Sequence, residues 1–96
     1  MLMLIAYDVN TETPSGRRRL RRVARACLDF GQRVQKSVFE CEIDPAQWTA
    51  LRARLVGEID AAKDSLRFYR LGADGRRRVE HIGAKPAPDL DGPLLF

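Results

Sequence analysis

Ninety-six residues with a net charge of +4 and an isoelectric point of about 9.6 make one small domain with a modest core. Hydrophobic content of 45% and charged content of 31% fit a soluble globular chain. Repeats and low-complexity tracts are absent, and the longest apolar run is far short of the about 20 residues that span a membrane.

The charge is unevenly placed. Residues 1–39 carry a net +5 and the remainder −1. Arg outnumbers Lys fourteen to three, and the guanidinium fork suits phosphate better than the ammonium point charge. A polyanionic partner is expected.

The chain opens on the apolar run Leu2-Met3-Leu4-Ile5-Ala6, which ends in Tyr7 and Asp8. A short apolar run followed by turn chemistry reads as a central strand covered on both faces. It has neither the basic flank nor the cleavage site of a signal peptide. Asp8 sits where that strand emerges. An ionised carboxylate there is costly to desolvate without a cation or hydrogen-bond donors. Two readings stand at this point: Asp8 caps the following loop, or it serves a metal or catalytic site.

The polar stretch 10–16 offers several helix caps. A helix is predicted over about 17–30. Its apolar stripe is Leu20, Val23, Ala24, Cys27 and Leu28, with Gly31 as a left-handed stop. Arg18, Arg21, Arg22 and Arg25 fall on the other side. Six arginines in nine residues, with no acid among them, make more than a solubilising face and point to a phosphate-binding surface.

Residues 33–43 read as a strand in which Phe39, Cys41 and Ile43 alternate with Glu40 and Glu42. Asp44-Pro45 caps a second helix that runs to about residue 59, with Trp48, Leu51, Leu55, Val56 and Ile59 as its stripe. Residues 60–64 are a loop and 65–71 a strand. Asp74-Gly75 signals a hairpin turn into a returning strand over 76–82.

Eleven residues are long for one strand. If 33–43 divides at a bend or tight turn, the order becomes β-α-β-β-α-β plus one strand. That is an α+β, ferredoxin-like fold: an antiparallel sheet with two helices on one face and an additional C-terminal strand. The other sheet face would then be open, which calls for a partner and predicts a homodimer. The domain is placed at 1–83. Residues 84–96 form an extended, proline-containing tail ending in Leu94-Leu95-Phe96, which docking on a second subunit would bury.

Cys27 and Cys41 are isolated, with no zinc-ligand spacing. Buried reduced thiols fit a cytoplasmic protein. His81, the single histidine, reads as structural. No Ser/His/Asp or Cys/His pair and no glycine-rich phosphate loop is present. One carboxylate per chain is too few for a divalent site, and a two-fold axis near Asp8 would supply a second.

Leu4-Ile5-Ala6-Tyr7-Asp8-Val9, the arginine-rich helix, the stretch Gly31 to Glu40 with its Val34-Gln35-Lys36-Ser37-Val38-Phe39-Glu40, and Leu66-Arg67-Phe68-Tyr69-Arg70-Leu71 together resemble the CRISPR-associated protein 2 family. The resemblance spans residues 2–83. It implies a ferredoxin-like homodimer in which Asp8 of each chain faces the other and binds Mg²⁺ or Mn²⁺. It implies spacer acquisition beside the CRISPR integrase, with duplex DNA along the basic surface; the apolar tail end, beyond the resemblance, is then expected to dock on the dimer partner or the integrase. Members are also metal-dependent endonucleases on single-stranded RNA or on DNA. Tyr7, Asp8, Arg33 and Phe39 match family positions. Tyr7 and Asp8 are the catalytic candidates, and Asp8 is the metal ligand. Arg17, Arg18, Arg19, Arg22, Arg33 and Phe39 are the nucleic-acid-binding candidates, with the run Arg76-Arg77-Arg78 as a secondary contact. The family's phosphate-binding arginine falls among the first four. No membrane partner is expected.

Overall fold

In a computed structural model that describes residues 1–72 and 77–84, the elements run in order β1 (Leu2–Asp8), α1 (Pro14–Leu28), β2 (Gln32–Gln35), β3 (Val38–Glu42), α2 (Pro45–Glu58), β4 (Ser65–Leu71) and β5 (Arg77–Gly83). The five strands form one antiparallel sheet in the order β2-β3-β1-β4-β5. Its first four strands and two helices have the ferredoxin-like arrangement, extended by β5 on the β4 edge. The Asp74-Gly75 turn, Arg76 and the tail from residue 85 lie outside the described residues. Among those described, no helix is long and apolar enough to cross a membrane.

The long strand 33–43 does divide, at Lys36-Ser37. No residue of that turn has positive φ, so the primed turns that match strand twist are not used. A register shift between Arg33 and Gln35 takes up the misfit instead. Tyr7 N–H donates to the Ser37 carbonyl at 3.1 Å and ties the turn to β1.

α1 starts three residues earlier than the apolar stripe predicts. Thr13 Oγ1 accepts from Gly16 N–H at 3.1 Å, and Pro14 fills the first turn, where its missing N–H costs nothing. The buried face is Gly16, Val23, Ala26 and Cys27. Leu28, expected in the stripe, is instead 50% exposed. Gly31 is not left-handed; the helix ends through Asp29 in the right-handed region. Glycine is required at 31 because a Cβ there would strike the Glu40 carbonyl and the Cys41 sulfur.

α2 carries a reciprocal capping box. Asp44 Oδ1 accepts from Gln47 N–H at 2.7 Å, and Gln47 Oε1 accepts from Asp44 N–H at 3.0 Å, an arrangement worth about 1 kcal/mol. Leu51 and Leu55 face inward from α2.

Cross-strand partners share a sheet face, so the register fixes which side each residue takes. Ile5 pairs with Phe39 and with Phe68, and Tyr7 with Leu66. These fill the layer between sheet and helices with Val23, Cys27, Leu51 and Leu55. Truncating the fully buried Ile5 to Ala would cost about 2–5 kcal/mol. The opposite face carries Leu4, Ala6 and Asp8 of β1 beside Val38, Glu40, Arg67 and Tyr69. Buried and charged side chains mix there, with Val38 and Tyr69 nearly inaccessible.

Candidate metal and nucleic-acid site

Asp8 is the last residue of β1 and pairs with Ser65, the first of β4. It is exposed, on the face away from the helices, in a pocket lined by Ala6, Tyr7, Asp8, Ser65 and Arg67. One rung along the sheet, Ala6, Arg67 and His81 stand in a row. Arg67 Nε donates to His81 Nδ1 at 3.3 Å. With Nδ1 accepting, the ring's other nitrogen, Nε2, is buried and finds no hydrogen-bond partner among the described residues.

Tyr7 points the other way. Its ring stacks on Phe39 with centroids 6.1 Å apart, and its hydroxyl donates to the Lys36 carbonyl at 3.4 Å. The Arg33 guanidinium lies 5.1 Å from the Phe39 ring centroid, within cation–π range. Burial pushes the Tyr7 phenol up, with Arg33 opposing. Tyr7, Arg33 and Phe39 are thus brought together at the β2 edge, with the sheet between their side chains and the Asp8 carboxylate. Strand alternation makes this separation unavoidable for adjacent residues.

The arginines of α1 divide into distinct states. Acids engage three of them, two from distant segments and one from the next turn of the chain. Arg19 grips Asp64, with Nε to Oδ2 at 2.8 Å and Nη2 to Oδ1 at 3.3 Å. Arg22 reaches Glu58 at 3.2 Å and Arg25 reaches Asp29 at 3.8 Å. Arg17 donates to the Thr11 carbonyl at 3.2 Å. Arg18 and Arg21 are exposed and make no ion pair with the described residues. In the pair Arg22–Glu58 the guanidinium is exposed and the carboxylate half-buried; solvent reaches the pair from the arginine side, where a phosphate can compete with Glu58. Asp64 is fully buried and resists any such exchange. Sequence reasoning missed Asp64. Its one signal was an acid immediately before the buried strand residues Ser65 and Leu66.

No cluster of three or more His, Cys, Asp or Glu capable of holding a metal exists among the described residues. Asp8 is a single hard oxygen donor per chain. Mg²⁺ keeps several waters and is held by one or two carboxylates plus substrate phosphate, a ligand set to which an exposed Asp8 carboxylate would contribute. A zinc site would need nitrogen or sulfur ligands, and both cysteines are buried in the core.

Residues 1–79 match the family described as CRISPR associated protein Cas2. The chain is 66% identical over 95 residues to the CRISPR-associated endoribonuclease Cas2 3 of Rhodospirillum rubrum, covering 99% of this chain and 100% of that one. It is 57% identical over 96 residues to the CRISPR-associated endonuclease Cas2 of Halalkalibacterium halodurans, covering 100% of each. A crystal structure of Streptococcus pyogenes Cas2 is similar with a TM-score of 0.70 at 58% identity, covering 75% of this chain and 87% of that one.

Proposed function

The chain belongs to the CRISPR-associated Cas2 family, and on that premise we propose that it is a homodimeric adapter that holds duplex DNA beside the CRISPR integrase during spacer acquisition. The observation that carries this reading is the split among the α1 arginines. Arg18 and Arg21 present to solvent guanidinium groups that pair with no acid among the described residues, and Arg17 and the exposed Arg22 flank them. Phosphate contacts of that kind set position without reading sequence. Arg33, stacked on Phe39, adds a second contact at the β2 edge.

A second activity is metal-dependent cleavage of a phosphodiester in RNA or DNA, centred on Asp8. The names of the relatives, endoribonuclease and endonuclease, favour it. Two Asp8 carboxylates across a dimer axis would hold Mg²⁺ or Mn²⁺, an ion that activates water and offsets charge on phosphate. Within one chain, Asp8 supplies the anionic ligand. Arg67, across the pocket and held by His81, supplies positive charge near an incoming phosphate. Two like charges facing each other repel, so cation binding and dimerisation should support each other. Sedimentation with and without Mg²⁺ tests this: a dimer at micromolar concentration that tightens with the ion supports the reading, and a monomer under both conditions refutes it.

A further inference from the structure

Asp64 is a carboxylate with no solvent exposure, and four donors converge on it. Oδ1 accepts from Asn10 N–H at 2.9 Å and from Arg19 Nη2 at 3.3 Å. Oδ2 accepts from Arg19 Nε at 2.8 Å and from Asp60 N–H at 2.9 Å. The remaining Arg19 nitrogen, Nη1, donates to Ser15 Oγ at 3.3 Å. Every nitrogen of the guanidinium is therefore engaged within the chain.

The positions of these donors matter more than their number. Asn10 lies two residues beyond Asp8. Ser65, next to Asp64, is the cross-strand partner of Asp8. One buried ion pair thus holds both backbone segments that frame Asp8. Two glycines let the chain close around it. A Cβ at Gly16 would collide with the Asn10 carbonyl, and one at Gly83, where φ is +118°, with the Asp64 carbonyl. Ala84 N–H donates to that same carbonyl at 3.0 Å.

We infer that Arg19 and Asp64 are positioning residues of the Asp8 site, acting through Asn10 and Ser65, and that Arg19 is not a phosphate contact. Turning Arg19 toward a phosphate would leave a buried carboxylate without its cation, which is strongly unfavourable. Arg18 and Arg21 carry no such obligation to any of the described residues. The inference rests on the reading of Asp8 as the metal ligand, and its consequence is that two neighbouring arginines of one helix do different work.

The test uses full-length Arg19→Gln, with Arg18→Gln and Asp8→Asn as comparisons. Three quantities are read: Mn²⁺ affinity by water-proton relaxation, the salt slope of duplex DNA binding, and amide exchange at Asn10. Arg19→Gln should weaken Mn²⁺ binding at least tenfold and speed Asn10 exchange at least tenfold, with an unchanged salt slope. Arg18→Gln should lower the slope by about 0.9 and leave Mn²⁺ affinity alone. A slope lowered by Arg19→Gln, or unchanged Asn10 exchange, overturns the inference. If Arg19→Gln does not fold, Arg19→Lys replaces it: loss of the bidentate fork should still loosen Asn10, whereas a simple phosphate contact predicts no loosening. Mn²⁺ binding unaffected by Asp8→Asn would refute the metal reading itself, and the Asn10 exchange rate and salt slope would still decide the role of Arg19.

Discussion

Tyr7 and Asp8 are adjacent in the chain, yet the Tyr7 ring packs against Phe39 beneath the helices while the Asp8 carboxylate is exposed on the opposite face of β1. The two side chains are therefore expected to act separately. Asp8→Asn should abolish metal-stimulated cleavage. Tyr7→Phe keeps the stacked ring and loses a long hydrogen bond, worth at most about 1 kcal/mol. Its cleavage rate should stay within about threefold of the parent. A loss in Tyr7→Phe as deep as in Asp8→Asn would place the phenol in the chemistry after all.

Duplex DNA binding should depend on the exposed guanidinium groups of Arg18 and Arg21. Replacing both Arg18 and Arg21 by Gln should lower the salt slope by about 1.8, equally for unrelated duplex sequences. Fluorescence anisotropy across a salt series measures this. An unchanged slope would reduce this helix face to a solubilising one.

Acid should weaken the fold through Asp64. Burial pushes its carboxyl up, but Arg19 and the N–H groups of Asp60 and Asn10 outweigh burial and leave its pKa below the ordinary value. A folded-state pKa below the unfolded one adds stability above about pH 4, the unfolded value, and that stability is lost as pH falls through the folded value. Thermal melts from pH 7 down to 3 should show a steeper decline for the parent than for Asp64→Asn, which is less stable throughout. Parallel declines would remove Asp64 from the acid limb.

Both thiols should be inert in the folded protein. Burial, with some help from Cys41, pushes Cys27 up to about 12. Burial, then Glu40, pushes Cys41 up to about 11. Alkylation at about pH 8 should therefore follow unfolding rather than reagent concentration. Because the folded values are raised, this contribution to stability is intact below the unfolded thiol value of about 8.5 and declines as pH rises toward the folded ones. Rapid labelling of either cysteine in native protein would contradict the packing.

Much of this was legible in the residues, and the exceptions have physical causes. Asp44-Pro45 announced α2, because an N-cap followed by proline is local chemistry; the structure adds Gln47, which completes the capping box. The Lys36-Ser37 turn announced itself through strand length alone, since it lacks the glycine or asparagine of a primed turn and relies on a bulge. Gly31 was correctly marked as a boundary but for the wrong reason: what matters is the approach of β3, a long-range contact. The greatest difference lies in α1. Its arginines look uniform in sequence because the acids that pair with them, Asp64 and Glu58, arrive from distant segments. Asp8 stands out in the sequence because an acid ending a buried strand conflicts with local hydrophobicity, the kind of conflict expected at functional positions.

The central claim is that the adapter role depends on arginines and not on Asp8 chemistry. Spacer acquisition in cells measures it directly, comparing the parent with Asp8→Asn and with Arg18→Glu/Arg21→Glu, each at matched protein level. Acquisition should persist in Asp8→Asn, whose purified protein no longer cleaves, and should fall at least tenfold in the double charge reversal. Acquisition lost in Asp8→Asn and retained in the charge-reversed protein would contradict the account.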